Sequence, residues 1–193
     1  MLDKSVPFVD VLMHRKAGAA IPVVEPSEGY RVVHYKEGDE AAWARIETSV
    51  LEFSNEQEAL RCFRERYMPY AEELLRRCLF IETEDGEKVA TATSWWSYSG
   101  KRRDPWLHWV AVDPAHQNKG LGKAVVSAAL RLTAEIEGDR DYYLHTQTWS
   151  HKAIGIYENM GFCITDTKNL GRYANDGYED ALRILRAVRG GVR

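Results

Sequence analysis

Apolar positions change their spacing along the chain, and each change predicts an element. Tyr30–Tyr35 (YRVVHY) reads as a short strand. Asp39–Val50 reads as a helix, with Trp43, Ile46 and Val50 on one stripe. A longer helix lies within Asn55–Arg77, where Leu60, Phe63, Tyr67, Tyr70 and Leu74 recur every three or four residues and Pro69 kinks or divides the run. Cys78–Thr83, the turn Glu84–Glu87 and Lys88–Ser99 form a predicted hairpin. A charged turn over Gly100–Asp104 leads into an aromatic-rich strand, Trp106–Val112. After it the pattern predicts a helix over Leu121–Ile136, a strand over Tyr142–Thr148, a helix over His151–Met160 and a strand over Phe162–Thr167. Tyr178–Val188 fits a helical stripe as well as an edge strand. Residues 1–28 carry Pro7, Pro22 and Pro26 with weak periodicity, and are expected as an extension packed along a single domain of residues 29–193. Hairpins followed by strand–helix–strand–helix–strand predict a mixed α/β sheet with helices on its faces.

Composition narrows the class. A chain of 193 residues with 45% hydrophobic positions is long enough for one core and too apolar for a disordered chain. No apolar run approaches the ~20 residues of a membrane-spanning helix. A net charge of −3 argues against general nucleic-acid binding. Cys62, Cys78 and Cys163 lack metal-ligand spacing and read as unpaired thiols of a reducing compartment. The histidines form no metal set, so no metal is expected. Asp3, Lys4, Asp10, His14 and Arg15 interrupt any secretory apolar segment, which makes a cytoplasmic location the expectation.

The most informative stretch follows Trp106–Val112. Gln117-Asn118-Lys119-Gly120-Leu121-Gly122 joins that strand to the long helix. Glycines there allow a sharp turn that aims several N–H groups one way, and the helix N-terminus adds unpaired donors. Lys119 and Lys123 add positive charge. This local pattern supports binding of a phosphate-bearing ligand. It lacks the third glycine of a dinucleotide fingerprint and the Gly-Lys-Ser/Thr of a P-loop.

The string Val110-x-Val112-Asp113-Pro114-x-x-Gln117-x-x-Gly120-x-Gly122 resembles the acetyl-CoA signature of the GNAT acetyltransferases. A second segment, Ala153-x-x-x-Tyr157-x-x-x-Gly161-Phe162, is similar to another family motif, with Ser150 where the family usually has Asn and Ile156 in place of Leu. The resemblance implies a mixed, mostly antiparallel central sheet, splayed at its central strands and flanked by helices on both faces. It implies an N-acetyltransferase that moves an acetyl group from acetyl-CoA to a primary amine, of a small molecule or a protein, by direct attack through a tetrahedral intermediate. Carried over residue by residue, backbone groups of Val110, Ala111 and Val112 meet the pantetheine. The N–H groups of Asn118, Lys119, Gly120, Leu121, Gly122 and Lys123 cradle the pyrophosphate, with Gln117 of the same motif and Ser150 as further cofactor-binding residues. Tyr157 matches the acid that protonates the departing sulfur, a role suited to a phenol that is neutral at pH 7.

The attacking amine must lose a proton. Strand alternation puts Trp106, His108, Val110 and Val112 on one face, and a histidine stands at the position of His108 in one member of the family. His108 is therefore either the base or a hydrogen-bonded core histidine. In the family, the first helices form the acceptor pocket, here Ala41–Arg77. Phe53, Phe63, Tyr67, Tyr70, Trp95, Trp96, Tyr98 and Trp149 either line it or pack the core, and Glu52, Glu56 and Glu58 either attract a cation or are solvated. No nucleic-acid or membrane partner is expected, and a monomer or homodimer is. A noncatalytic acyl-CoA-binding domain of the same fold is the alternative, and a nucleotide-binding module of unrelated fold is a third reading.

Overall fold

The computed structural model describes residues 2–190. Its strands are β1 (Asp10–Arg15), β2 (Tyr30–His34), β3 (Cys78–Thr83), β4 (Lys88–Ser99), β5 (Arg102–Val112), β6 (Tyr142–Gln147) and β7 (Cys163–Ile164), with a small hairpin of β8 (Asn169–Leu170) and β9 (Tyr173–Ala174). Its helices are α1 (Glu40–Ser49), α2 (Glu56–Tyr67), α3 (Ala71–Arg77), α4 (Leu121–Glu137), α5 (His151–Asn159) and α6 (Tyr178–Gly190). No described helix is long and apolar enough to cross a membrane.

The main sheet has seven strands in the order β2-β3-β4-β5-β6-β1-β7. Neighbours are antiparallel except β5 and β6, which run parallel. Helices cover both faces. One layer packs α4, α5 and α6 on Leu79, Ile81, Ala90, Ala92 and Leu107. The other packs α1 and α2 on Phe80, Trp95 and Ala111, around the fully buried Trp43, Phe63 and Tyr67. This is the mixed, mostly antiparallel architecture expected from the resemblance.

Several elements differ from expectation. The long helix is divided at Pro69, where a short 3-10 turn, Met68–Tyr70, separates α2 from α3. Proline has no N–H for an α-helical bond and clashes with the preceding turn, so the run restarts. The charged turn is shorter than predicted, because β5 already begins at Arg102 and pairs with β4 from Ser99 onward. The strand predicted over Phe162–Thr167 shrinks to β7. Tyr178–Gly190 is a helix, with Ala181, Ile184 and Leu185 buried along one stripe.

Residues 1–28 do more than lie along the domain. β1 sits inside the sheet, paired to β6 on one side and β7 on the other. Val11, Leu12 and Met13 are all buried, because layers cover both faces of this strand, and the alternation that would have marked it is absent.

Two features of β5 build the site. Its pairing with β6 is confined to Trp106↔Tyr143 and Leu107↔Leu144, and the strands part after Leu107. The register to β4 also shifts: Thr93 faces His108, while Thr91 faces Ala111. One extra residue is accommodated on β5, at a bulge where Trp109 adopts a left-handed φ of 50°. The bulge corrects the expected alternation. Leu107, Val110 and Val112 pack toward α4, whereas His108 meets Tyr67 and Ala111 joins the Trp43 layer. His108 therefore does not share a face with Val110 and Val112.

Candidate functional site

The parting of β5 from β6 opens a cavity of about 380 Å³. Its walls are His108, Trp109 and Val110 from β5, Leu144 to Gln147 from β6, and Ser150, Ala153 and Tyr157 at the start and along α5. Glu47 from α1, Glu52 just after it, and Arg66 from α2 also line it. A cavity of this size suits a small-molecule ligand or the reacting end of a larger one.

Beyond the end of β5, the β5–α4 loop holds a row of unpaired donors. His116 and Gln117 donate their N–H groups within the loop, to Asp113 and Pro114, and Ala124 is the first α4 residue to donate, to Gly120. The amides of residues 118–123 have no acceptor among the described residues. Gly120 has a φ of +79°, a conformation that L side chains rarely adopt, and it turns the chain directly into α4. Free N–H groups at a helix start attract an anion.

The other predicted loop residues divide by role. Gln117 turns its side chain back, Nε2 donating to the Val112 carbonyl at 2.9 Å, so it ties the loop to the strand. Lys119 Nζ donates to the Tyr30 hydroxyl at 2.7 Å, which fixes it beside the loop, and Lys123 is exposed. Gly122 has a packing reason. A Cβ there would lie 3.1 Å from Ile156 Cδ1 and 3.7 Å from Val112 Cγ2, so the glycine lets α4 approach α5 and β5. Ala111 is buried against the α1 layer and is not among the residues that line the cavity. Val110 and Ser150 both line the cavity.

Tyr157 is 6% exposed, and burial with the neighbouring Glu52 and Glu47 holds its phenol well above the usual range, hence protonated at neutral pH. His108 is pushed down to about 3, first by burial and then by Arg66 and Arg172 nearby. Its Nδ1 lies 3.4 Å from the Tyr67 hydroxyl. At neutral pH it is an uncharged ring, able to accept a hydrogen bond. His145 also lines the cavity, stacked 3.9 Å from Tyr173 and bonded to Asp10 at 2.7 Å. His116 pairs with the Tyr30 hydroxyl and His151 with Asp3, both outside the cavity. Among the described residues, no cluster of three or more His, Cys, Asp or Glu is arranged to hold a metal.

The sequence pattern missed Glu47. It is 1% exposed, and its Oε1 is buried without a hydrogen-bond partner among the described residues. Burial and the adjacent Glu52 push its carboxyl well above the usual range. Glu52 is raised too, by burial, while the Gln147 amide (Nε2 to Oε1, 3.1 Å) and Lys4 pull the other way. A signal existed: Glu47 falls on the Trp43–Ile46–Val50 stripe, where a carboxylate has no packing reason. Of the other predicted acceptor residues, Glu58 caps the start of α2 and Glu56 is exposed. Phe63, Tyr67 and Trp95 are core residues, Trp149 packs on Phe8, and Tyr70 and Tyr98 are exposed.

Comparison with known proteins places this geometry. The family model described as "Acetyltransferase (GNAT) family" matches residues 41–162. A curated relative, mycothiol acetyltransferase of Actinosynnema mirum, is 29% identical over 153 residues, covering 77% of this chain. The chain spans only 50% of that relative's length. Among solved structures, a GCN5-related N-acetyltransferase from Sphaerobacter thermophilus superposes with a TM-score of 0.64 at 19% identity, covering 83% of this chain and 49% of that one. Glucosamine-6-phosphate N-acetyltransferase from Arabidopsis thaliana gives a TM-score of 0.53 at 19% identity, covering 76% and 99%. A predicted acetyltransferase from Clostridium acetobutylicum, solved with acetyl-CoA, gives 0.56 at 13% identity, covering 73% and 94%. These structural likenesses concern the fold.

Proposed function

Because the chain belongs to the GNAT acetyltransferase family, we propose that it is an N-acetyltransferase that uses acetyl-CoA to acetylate a primary amine. The observation that carries this reading is the wedge between β5 and β6, lined by Tyr157 and the carboxyls of Glu47 and Glu52, together with the free amides of the loop that follows β5. The residues fit the cosubstrate: amides 118–123 suit a pyrophosphate, and the unpaired edge of β5 beyond Leu107 suits the amide-bearing pantetheine. When bound, the thioester supplies an already activated acyl carbon.

The chain's own residues then have few tasks. The wedge holds the amine against the acyl carbon, which substitutes orientation for a bimolecular encounter. The carboxyl pair takes the amine's proton as the N–C bond forms. Raised carboxyls are stronger bases than ordinary ones and closer in pKa to an amine. Tyr157 donates its proton to the sulfur as the C–S bond breaks. His108 serves as a neutral hydrogen-bonding ring on the wall.

The test is thiol release by the purified chain with acetyl-CoA and a broad amine panel, alongside thermal unfolding with CoA, ATP and NAD. A CoA-selective rise in melting temperature with amine-dependent thiol release is expected. A CoA shift with no thiol release from any amine favours the noncatalytic acyl-CoA-binding reading. Stabilisation by ATP or NAD alone removes the acetyltransferase reading altogether.

A further inference from the structure

Resting on the acetyltransferase reading, we infer that the acceptor is a zwitterionic small molecule, its ammonium seated against Glu47 and Glu52 and its carboxylate or phosphate held between Arg66 and Arg172. The cavity carries charge of opposite sign at its two ends. Glu47 and Glu52 lie beside Tyr157, and Glu47 Oε1, fully buried on the wall, has no partner among the described residues. An uncompensated buried acceptor costs free energy unless a ligand donor satisfies it, and an ammonium brings three donors.

The opposite end opens into a vestibule of about 390 Å³ that shares Cys62, Arg66, His108, Arg172 and Tyr173 with the deeper cavity. Neither arginine forms a salt bridge among the described residues, although most other arginines around the fold do. Arg66 lies over the Trp109 ring at 5.7 Å, and Arg172 donates to the Tyr173 hydroxyl at 3.1 Å. Both line the vestibule and the deeper cavity together with His108.

Arg172 is held there by a built device. Gly171 has a φ of +59° and donates its N–H to Ser99 Oγ at 3.1 Å, and a Cβ on it would lie 2.8 Å from the Trp106 ring. The β8–β9 turn thus sits directly on β4 and β5 and delivers Arg172 to the mouth. Two guanidinium groups without carboxylate partners suit an oxyanion, which each can bind through paired N–H groups.

The experiment measures kcat/KM by thiol release for a length series of ω-amino acids, with matched aminoalkyl phosphates, amino alcohols and diamines. The anionic amines should exceed their amino-alcohol counterparts by about tenfold or more, and the carboxylate and phosphate arms show which oxyanion is preferred. In R66Q and R172Q this preference ratio should fall by about tenfold, and CoA-induced thermal stabilisation of each variant shows that it is folded. Equal or better turnover of amino alcohols or diamines overturns the inference and leaves the acetyltransferase reading standing. So does a preference for anionic amines that survives in the R66Q/R172Q double variant. Failure of CoA to stabilise the chain, or of every amine to release thiol, overturns the acetyltransferase reading itself.

Discussion

Replacing Glu47 with leucine should make the protein more stable and the enzyme inactive. Glu47 is 1% exposed on the inner stripe of α1, one carboxyl oxygen has no partner among the described residues, and the like-charged Glu52 acts on it. Removing an unsatisfied buried polar group while keeping the side-chain volume recovers about 1–3 kcal/mol. For a chain of this length that raises the melting temperature by about 2–12 °C. The gain should depend on pH with a definite sign. Because the folded-state pKa of Glu47 lies above its unfolded value, the native state binds more protons than the unfolded state in the window from about pH 4.5 upward. Wild-type stability therefore falls as pH rises through that window, by at most about 1.4 kcal/mol per pH unit for this group. Glu47→Leu lacks that loss, so its advantage should widen with pH until the wild-type carboxyl is fully ionised. Thermal unfolding of both proteins across pH 5–8, with thiol release measured in parallel, checks both halves. A lower melting temperature in the variant would show that the carboxyl is held by partners and serves the fold. Undiminished turnover would remove Glu47 from the chemistry.

Tyr157→Phe should lower kcat by about a hundredfold or more while leaving the CoA dissociation constant within about a factor of two, because general acid catalysis is worth that much and the ring still packs on Phe162. Equal losses in kcat and CoA affinity would assign Tyr157 to binding alone. His108→Gln should leave the alkaline-rising limb of the pH–rate profile in place, since His108 titrates near 3 and is uncharged throughout that range; loss of the limb would make it the base. Gly120→Ala should cost about 1–2 kcal/mol of stability from the left-handed φ and raise the CoA dissociation constant as the loop amides shift. Isothermal titration measures the second effect, and unchanged affinity would remove the loop from pyrophosphate binding. Gly122→Ala crowds Ile156 Cδ1 at 3.1 Å, and Ile156→Val in the same chain should recover most of its loss in melting temperature.

What local chemistry determines was readable without coordinates. Pro69 divides the second helix wherever it stands, and the glycines after Val112 turn the chain into α4. The phosphate loop and the Tyr157 helix are each contiguous in sequence, so their motifs survive as strings, and with them the family and its sheet. Tertiary structure decided the rest, because the deciding contacts join residues far apart in the chain. β1 is a strand only because β6 and β7 supply its hydrogen bonds, and its buried flanks erase the alternation that would have announced it. The bulge at Trp109 inserts one residue against β4, and a single-residue slip moves every later side chain to the other face, which separated His108 from Val110. The charges of the site come from α1, α2 and the β8–β9 turn, which meet only where β5 and β6 part. Sequence pointed to a glycine loop and a tyrosine-bearing helix. The fold opened a cavity beside Tyr157 and set two carboxyls and two arginines around it, because burial and convergence of charge are properties of packed elements and of no single segment.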